Sequence, residues 1–398
     1  MASTPDGEAQ RQPRFRRTRF VCISDTHNQT VKLPKGDVLI HAGDLTNQGS
    51  FSELSKTVQW LEKADFEAKI VIAGNHDVTL DKAFYAEYGS YFHNQSPQSP
   101  DACLELLSSS PSITYLDHSS TTVVLDKNPS LRTSFTVFGS PYSPKDGMWA
   151  FGYDRASAAD QISTASKATD ERSSQALPNA GDIWSAIPLD TDIVITHTPP
   201  YTHCDEAVSK RRALGCEELR RALWRVRPKL AFCGHVHEGR GAERVKWDIQ
   251  GASGAPYTEL GVERWEDPGA GLNNNKMSLV DLTSRGGSQP LENDGSTVSQ
   301  EWYADSRGQA GACEHFADGP STALPGFGTR GIGGNPDVSV RCDREALRYR
   351  MGRRETCVIN CAIAATNWPH SGGKKFNKPI VVDLDLPVLE VGRWRRGM

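Results

Sequence analysis

The stretch RFVCISDTHN, residues 19–28, joins a continuous apolar run to Asp25 and His27. Two later stretches follow the same plan, because DVLIHAGD (37–44) and AKIVIAGNHD (68–77) also end an apolar run in residues with polar side chains. Continuous apolar runs of this length are typical of strands that are covered on both faces. The three stretches therefore predict buried strands, each delivering polar groups where it ends.

A helical pattern separates the second run from the third. Leu54, Val58 and Leu61 recur at helical spacing, and Ser50 or Ser52 is available as the N-cap. A strand, a helix and a strand in this order predict a right-handed crossover between parallel strands. The sequence thus indicates an α/β fold.

The remainder of the chain repeats these patterns around two polar stretches. Strands are predicted at 121–125, 134–140, 192–197, 229–235, 356–365 and 378–387, and helices at 215–228 and 344–355. The segments at about 155–182 and 266–340 are rich in Ser, Gly, Asn and Asp, which predicts polar insertions. We expect one domain over 19–388, with a disordered basic tail over 1–18 and a second tail over 389–398.

The composition narrows the class of protein. The chain has 398 residues and a formal charge of −4, so its net charge gives no reason to expect a nucleic-acid partner. Its nine cysteines form no CxxC pair, which is typical of reduced thiols rather than a disulfide framework. We find no secretory signal and no apolar run near the ~20 residues of a membrane span. These features predict a cytoplasmic protein without a membrane partner, and they identify no protein partner.

Five strand ends carry side chains that can bind a metal. They are Asp25 with His27, Asp44, Asn75, His197, and His235 with His237. Any one of them also fits a turn cap or a surface histidine, but in open α/β sheets the carboxyl ends of strands form the site. Asp-x-His and His-x-His on extended backbone direct both members of each pair to one side. The set predicts a metal centre, with Pro199 and Pro200 stiffening the loop that follows His197.

Carboxylate and imidazole ligands suit manganese, with iron or zinc as alternatives. Two divalent ions need a bridging carboxylate, for which Asp44 is the candidate. The remaining ligands divide into Asp25, His27 and His237 for one ion, and Asn75, His197 and His235 for the other. Such a pair of ions lowers the pKa of a bound water and clamps the oxygens of an in-line displacement at phosphorus.

His76 follows a ligand but is not needed as one, so it is the candidate proton donor to the leaving alkoxide. Asp44 or Asp77 could orient its ring. His41 and His203 lie near the motifs in sequence and are candidates for supporting or substrate contacts, with a structural role as the alternative.

Glycines precede three of the ligands. Gly43, Gly74 and Gly234 would permit a sharp exit from the strand and a close approach of backbone to phosphate. Four further side chains could contact substrate, or could pack or face solvent instead: Trp149, Tyr201, Arg240 and Arg244.

The ordered motifs resemble those of the calcineurin-like metallophosphoesterase superfamily, with all five present and no ligand replaced. FGSPYSP (138–144), WAFGYDR (149–155), GHVHEGRG (234–241) and NKPIVVDLDLP (377–387) are similar to the metallophosphoesterase-domain-containing (MPPED-like, 239AB) branch. The resemblance covers about 19–265 and 355–388.

The resemblance implies a four-layer α-β-β-α sandwich with two mixed sheets. It also implies hydrolysis of a small phosphate ester by a hydroxide that bridges two divalent metals, with His76 as general acid. The branch adds an expectation of phosphodiesterase activity that includes cyclic nucleotides. A binding or scaffold protein on the same fold is the alternative. A metallo-β-lactamase-like hydrolase would need a His-x-His-x-Asp-His run, which the sequence lacks.

Overall fold

The chain folds into two large β-sheets with helices on their outer faces. The computed structural model describes residues 14–155, 179–249, 257–271, 274–285, 289–294, 352–366 and 373–389. The described strands are β1 (Phe15–Ile23), β2 (Val38–Ala42), β3 (Ala68–Ile72), β4 (Thr114–Tyr115), β5 (Ser119–Leu125), β6 (Thr133–Ser140), β7 (Ser143–Pro144), β8 (Gly152–Tyr153), β9 (Ile193–Thr196), β10 (Glu206–Ala207), β11 (Arg212–Ala213), β12 (Leu230–Cys233), β13 (Gly241–Trp247), β14 (Glu259–Arg264), β15 (Ser278–Asp281), β16 (Glu355–Asn360) and β17 (Ile380–Pro387).

The described α-helices are α1 (Phe51–Lys63), α2 (Lys82–His93), α3 (Pro100–Ser108), α4 (Ala180–Ser185) and α5 (Glu217–Val226). Ser50 caps α1 in a capping box with Glu53, which decides between the two predicted serines. Helix α5 ends where Arg227 adopts a left-handed conformation before Pro228, so the proline marks its end as predicted.

The first sheet has the strand order β15-β17-β1-β2-β3-β4. Strand β17 pairs antiparallel with β1, whereas the other neighbours in this sheet are parallel. Strand β17 thus pairs directly with β1, although the two strands lie far apart in sequence. Because β1, β2 and β3 are parallel neighbours, the loops that follow them leave from one edge of the sheet.

The second sheet has the strand order β14-β13-β16-β12-β9-β6-β5. Strands β6, β9, β12 and β16 are parallel neighbours, and antiparallel pairs complete the sheet on both sides. The loops after β9 and β12 therefore also leave from a common edge. Both sheets are mixed, as predicted.

Three groups of buried apolar side chains define the layers. One group joins inward residues of the two sheets, such as Phe20 and Phe232. A second packs the outer face of the first sheet against α1 and α3 through residues such as Leu54. A third packs the outer face of the second sheet against α4 and α5 through residues such as Leu223. This arrangement is the predicted four-layer α-β-β-α sandwich.

Several predicted boundaries need correction. Strand β1 begins at Phe15, so the tail predicted over 1–18 is wrong for residues 15–18, and residues 1–13 lie outside the described part. Strand β15 lies within the segment predicted as an insertion over 266–340, so that prediction is wrong for these residues. The alternate residues of β15 are buried beside β17. Helix α4 likewise begins inside the segment predicted over 155–182.

Strand β16 ends at Asn360 rather than at residue 365, because the following residues turn across the ends of β1 and β12. Most of the helix predicted over 344–355 lies outside the described residues, as do most of the residues in both predicted insertions. No helix in the part of the chain that the structure describes is long and apolar enough to cross a membrane.

Candidate metal centre

The predicted ligands converge where the two sheets direct their loops. Three overlapping groups of metal-binding side chains form there, and the potential ligand atoms within each group lie within 4.8 Å of one another. The groups are Asp25 with His27 and His237, His27 with Asp44 and His76, and Asp25 with Asp44 and His197. The loops after β1, β2 and β3 meet the loops after β9 and β12 at this point.

One half of the centre contains Asp25, His27 and His237. Nε2 of His237 lies 3.4 Å from Oδ1 of Asp25 and 3.5 Å from Nε2 of His27. Asp25 is fully buried. The two ring nitrogens and the carboxylate thus face a common point, which is the arrangement that one cation would need.

The other half contains Asn75, His197 and His235. Oδ1 of Asn75 lies 2.9 Å from Nε2 of His197 and 2.9 Å from Nδ1 of His235. An amide oxygen and two imidazole nitrogens are ligands suited to a transition-metal ion. The predicted second set of ligands is therefore brought together.

Asp44 lies between the two halves. Its Oδ2 is 3.7 Å from Nε2 of His27, and its Oδ1 is 3.3 Å from Nε2 of His197. Each carboxylate oxygen thus faces a different half of the centre. A carboxylate in this position would suit two neighbouring cations.

Backbone carbonyl groups fix the rings of three histidines. Nδ1 of His27 faces the carbonyl of Thr46 at 3.2 Å, Nδ1 of His197 faces that of Ala42 at 2.9 Å, and Nδ1 of His237 faces that of Thr366 at 3.3 Å. A carbonyl can only accept, so each contact places a proton on Nδ1 and leaves Nε2 free to bind a metal.

The backbone is strained where it delivers these ligands. Asp25, His27, Asp44 and His235 all have positive φ angles, between 45° and 64°. Non-glycine residues rarely adopt this conformation, and they do so mainly at functional sites. A sequence pattern of apolar runs gives no sign of this strain.

Comparisons with known proteins identify the family of the chain. A family model described as calcineurin-like phosphoesterase matches residues 18–239. The chain belongs to the calcineurin-like phosphoesterase family. Metallophosphoesterase domain-containing protein 1 of Homo sapiens is 38% identical over 231 residues, which cover 56% of this chain and 62% of that protein. This similarity confirms the branch indicated by the motifs.

A second relative is the Probable rhamnogalacturonate lyase C of Emericella nidulans, 39% identical over 233 residues, which cover 58% of this chain and 18% of the relative. The chain thus spans less than two thirds of both relatives. Among solved structures, TT1561 of Thermus thermophilus is 12% identical with a TM-score of 0.33, covering 57% of this chain and 84% of that one. The purple acid phosphatase PPD1 of yellow lupin is 14% identical with a TM-score of 0.30, covering 60% and 40%.

The protonation states in this phosphoesterase-family chain suit metal binding. Burial raises the pKa of Asp25, but the hydrogen bond and charge of His237 outweigh it and bring the pKa to about 2. Burial lowers the pKa of His27 to about 4 and that of His235 to about 3. Ionised carboxylate and neutral imidazole are the forms that bind metals. The residues present therefore fit a pair of divalent cations.

Two of these histidines are exceptions. Burial lowers the pKa of His237, but the hydrogen bond and charge of Asp25 outweigh it and raise that pKa above its usual value. The other exception is His197. Burial lowers its pKa, but the charge and hydrogen bond of Asp44 raise it to about 9. Burial in turn raises the pKa of Asp44, and the charge of His197 brings it well below the usual value. The imidazolium therefore supplies a positive charge that balances the carboxylate of Asp44. A metal cation would take over that role and release the proton.

Two of the glycines make room for ligands. A Cβ at Gly74 would collide with the backbone and side chain of Asp44, and one at Gly234 would collide with Ser24 and Asp25. The close approach at these two glycines is therefore to Asp44 in one case and to Ser24 and Asp25 in the other. Gly43 has a φ of +94°, which is the sharp exit predicted for it.

The role predicted for Asp77 needs correction. Nδ1 of His76 faces the carbonyl of Asn47 at 2.8 Å, so this carbonyl, and neither Asp44 nor Asp77, orients the ring. Asp77 instead accepts hydrogen bonds from the backbone of Leu45, Thr46 and Gly74, and it thereby joins the loops after β2 and β3. Burial and the charge of Asp44 raise the pKa of Asp77 to about 6.

Four of the other candidates have structural partners. Arg240 pairs with Asp267 and Arg244 pairs with Glu355, so both guanidinium groups are engaged within the fold. His203 is buried between Glu243 and Glu259, and Nε2 of His41 lies 2.9 Å from the hydroxyl of Thr26. Their sequence positions suggested proximity to the site but could not show these distant partners.

The two aromatic candidates differ in their surroundings. Tyr201 is 39% exposed. Trp149 stacks on the ring of His76, with 3.8 Å between ring centroids and 30° between planes. The sequence suggested a substrate base as the partner of Trp149 and missed His76, because the two residues lie far apart along the chain.

Proposed function

We propose that this protein is a dinuclear metallophosphoesterase that hydrolyses small phosphodiesters, including cyclic nucleotides. The observation that carries the proposal is the position of Asp44, whose two carboxylate oxygens face the two halves of one centre. A single metal site would not need a carboxylate in this position. The family supports the reaction class, since its members are described as phosphoesterases.

The proposed ligands keep the predicted division. Asp25, His27 and His237 would hold one ion, and Asn75, His197 and His235 the other, with Asp44 shared by both. Manganese is our first choice, with iron or zinc as alternatives, because the ligands are oxygen and imidazole nitrogen. When bound, two such ions lower the pKa of a water molecule and neutralise the charge that develops on phosphate oxygens.

The chain's own residues would then complete the reaction. Asn47 fixes one ring nitrogen of His76, so Nε2 is the nitrogen that can donate a proton to the leaving oxygen. One ring nitrogen of His76 lies within 4.8 Å of both Asp44 and His27, which places this donor at the edge of the centre. Asp77 would have a structural role, because its hydrogen bonds hold together the loops that carry Asp44 and Asn75.

Charge favours a diester over a monoester. A phosphodiester carries one negative charge at neutral pH, whereas a monoester carries nearly two. Arg240 and Arg244, the two arginines predicted as phosphate contacts, are both held in ion pairs within the fold. Neither of these two guanidinium groups is therefore offered to the second negative charge of a monoester.

We also propose that residues 15–388 form one domain and that the protein is cytoplasmic. The first point is supported by β1 and β17, which lie far apart in sequence and pair along eight positions. The second is supported by seven described cysteines, all free and buried, since free thiols are typical of a reducing compartment.

The test is turnover of bis-p-nitrophenyl phosphate and p-nitrophenyl phosphate, side by side, in Mn²⁺ and in chelator. We expect metal-dependent cleavage of the diester, strongly reduced in His76→Ala. Cyclic nucleotides would be tested next by separating substrate from product. A protein that binds Mn²⁺ at the centre but cleaves neither ester would contradict the proposal and favour the scaffold alternative.

A further inference from the structure

The ring of His76 is held on several sides, and Trp149 provides the largest surface. The two rings stack at 3.8 Å between centroids, while the ring of His27 meets that of His76 edge to face at 4.7 Å. The hydrogen bond to Asn47 fixes the ring within its own plane. A carbonyl contact alone would leave the ring free to tilt about that bond, and the stack removes this freedom.

The loop that carries Trp149 is fastened to the loop that carries His76. The backbone N–H of Ala150 donates to the carbonyl of Asn75 at 3.2 Å. The backbone N–H of Phe151 donates to Oδ2 of Asp81, whose other oxygen caps α2. Ala150 is 1% exposed and Phe151 is 5% exposed, so the residues after Trp149 are anchored in the core.

Trp149 also contacts an aromatic side chain of α2. The ring of Phe92, at the end of α2, lies 5.6 Å from that of Trp149. Asp81 therefore fixes both the start of α2 and the residues that follow Trp149, and Phe92 closes the same unit from the other end. The stacked pair rests on regular structure rather than on an isolated loop.

We propose that Trp149 is a positioning residue that aims His76 at the leaving oxygen of the ester. The inference rests on the proposed phosphoesterase function. In the reaction, an oxygen of water forms a bond to phosphorus while the ester P–O bond breaks. The departing oxygen takes a proton from Nε2 of His76, which regains one from the attacking water, so one water is consumed overall.

This role predicts a loss that depends on the leaving group. A good leaving group departs as an anion, while a poor one needs the proton. We would compare methyl 4-nitrophenyl phosphate with methyl phenyl phosphate, or the matching monoesters if only those are cleaved. In Trp149→Ala we expect kcat/KM for the phenyl ester to fall about 10- to 100-fold, as for a misplaced catalytic group. The nitrophenyl ester should lose less than about 3-fold, since general acid catalysis contributes little to it.

Two control variants separate positioning from a general structural effect. Trp149→Phe keeps an aromatic face and should recover most of the phenyl ester activity. Tyr91→Ala removes a 74% exposed aromatic side chain from α2 and should behave as wild type. Mn²⁺ content and the thermal midpoint of each variant would be measured alongside, to show that the centre is intact.

A double-mutant cycle with His76→Ala gives the sharpest test. If Trp149 acts only through His76, then adding Trp149→Ala to His76→Ala should cause no further loss on the phenyl ester. A further loss, or equal losses on both esters in Trp149→Ala, would overturn the inference and indicate direct substrate contact or a structural role. An inactive wild-type enzyme would instead count against the proposed function itself.

Discussion

The two ends of β1 differ in the groups that balance the charge of nearby carboxylates. At its beginning, Arg16 lies 2.9 Å from Asp37 and 2.7 Å from Glu67, and both Arg17 and Arg19 pair with Asp383. At its end, the chain enters the loop with Asp25 and His27, where carboxylates face imidazoles. The strand has nine residues, so the two ends lie about 30 Å apart.

The difference lies in what balances the carboxylates. An arginine side chain stays protonated at any pH that a folded protein meets, so the first end is neutralised permanently. Histidines must be neutral to bind metals. With its histidines neutral, the second end can balance the charge of its carboxylates only when cations are present. The first end therefore contributes stability, and the second end serves the proposed reaction.

The largest expected effect comes from the shared ligand. Asp44→Asn keeps the shape of the side chain but removes the charge that two cations would share. We expect kcat to fall at least about 10²- to 10³-fold, the loss typical of one preorganised electrostatic group. Metal content by mass spectrometry, measured with turnover, checks the cause.

The matched control is Asp37→Asn at the other end of the strand. It also converts an ion-paired aspartate to asparagine, but it should leave kcat within about 2-fold of wild type, since distant sites act independently. If both variants lost activity equally, the two ends would not differ as described.

The second effect is on stability. Arg16→Met would leave Asp37 and Glu67 without their guanidinium partner, and the side chains of Arg16 and Glu67 are only 8% and 10% exposed. Removing one partner of a buried ion pair costs about 3 kcal/mol or more. Denaturant unfolding should show this loss while kcat per folded molecule stays unchanged. An unchanged unfolding free energy would mean that these pairs are solvated in practice.

The contrast also explains what the sequence could predict. Apolar runs that end in Asp25, Asp44 or His197 are local patterns, so the α/β class and the convergence of the ligands could be inferred without coordinates. The partners of Arg16 lie just before β2 and β3, far from it in sequence, and the run of basic residues therefore looked like a solvated tail. Local polarity cannot identify a pair formed across the sheet.

The same limit applies within the site. Asn47 orients His76 through a backbone carbonyl, and a carbonyl leaves no signal in a sequence. Strand β15 was hidden in a polar stretch because only two of its four residues are buried. Short half-buried strands carry too few apolar residues for their period to stand out from a loop.

Metal binding should stabilise variants at the two ends of β1 by different amounts. Saturation with Mn²⁺ at about 100 times its dissociation constant should stabilise the wild type by about 2.7 kcal/mol for each ion bound. Arg16→Met should gain the same increment, because its metal centre is intact, whereas Asp44→Asn should gain less. Thermal unfolding with Mn²⁺ and with chelator measures all three. If the two ends were coupled, Mn²⁺ would stabilise Arg16→Met by less than it stabilises the wild type.

The smallest effect is on acid stability. Burial raises the pKa of Glu67, but the hydrogen bond and charge of Arg16 outweigh it and hold the pKa below its usual 4.5. A carboxylate whose pKa is lowered by folding contributes stability above its unfolded pKa and loses it as the pH falls through the folded pKa. The difference in unfolding free energy between wild type and Arg16→Met should therefore shrink as the pH falls below about 4.5.

We expect the shrinkage to stay below about 1 kcal/mol, the size of a single ion pair, because Asp37 keeps its contact with Arg16 when Glu67 is protonated. Urea unfolding between pH 6 and pH 3.5, in chelator so that metal release does not contribute, measures it. Asp65→Asn is the control, since the side chain of Asp65 is 95% exposed where it faces Lys127, and this variant should keep the wild-type pH dependence. A difference that stayed constant towards acid pH would show that Arg16 stabilises the fold through packing of its aliphatic stem instead of through its charge.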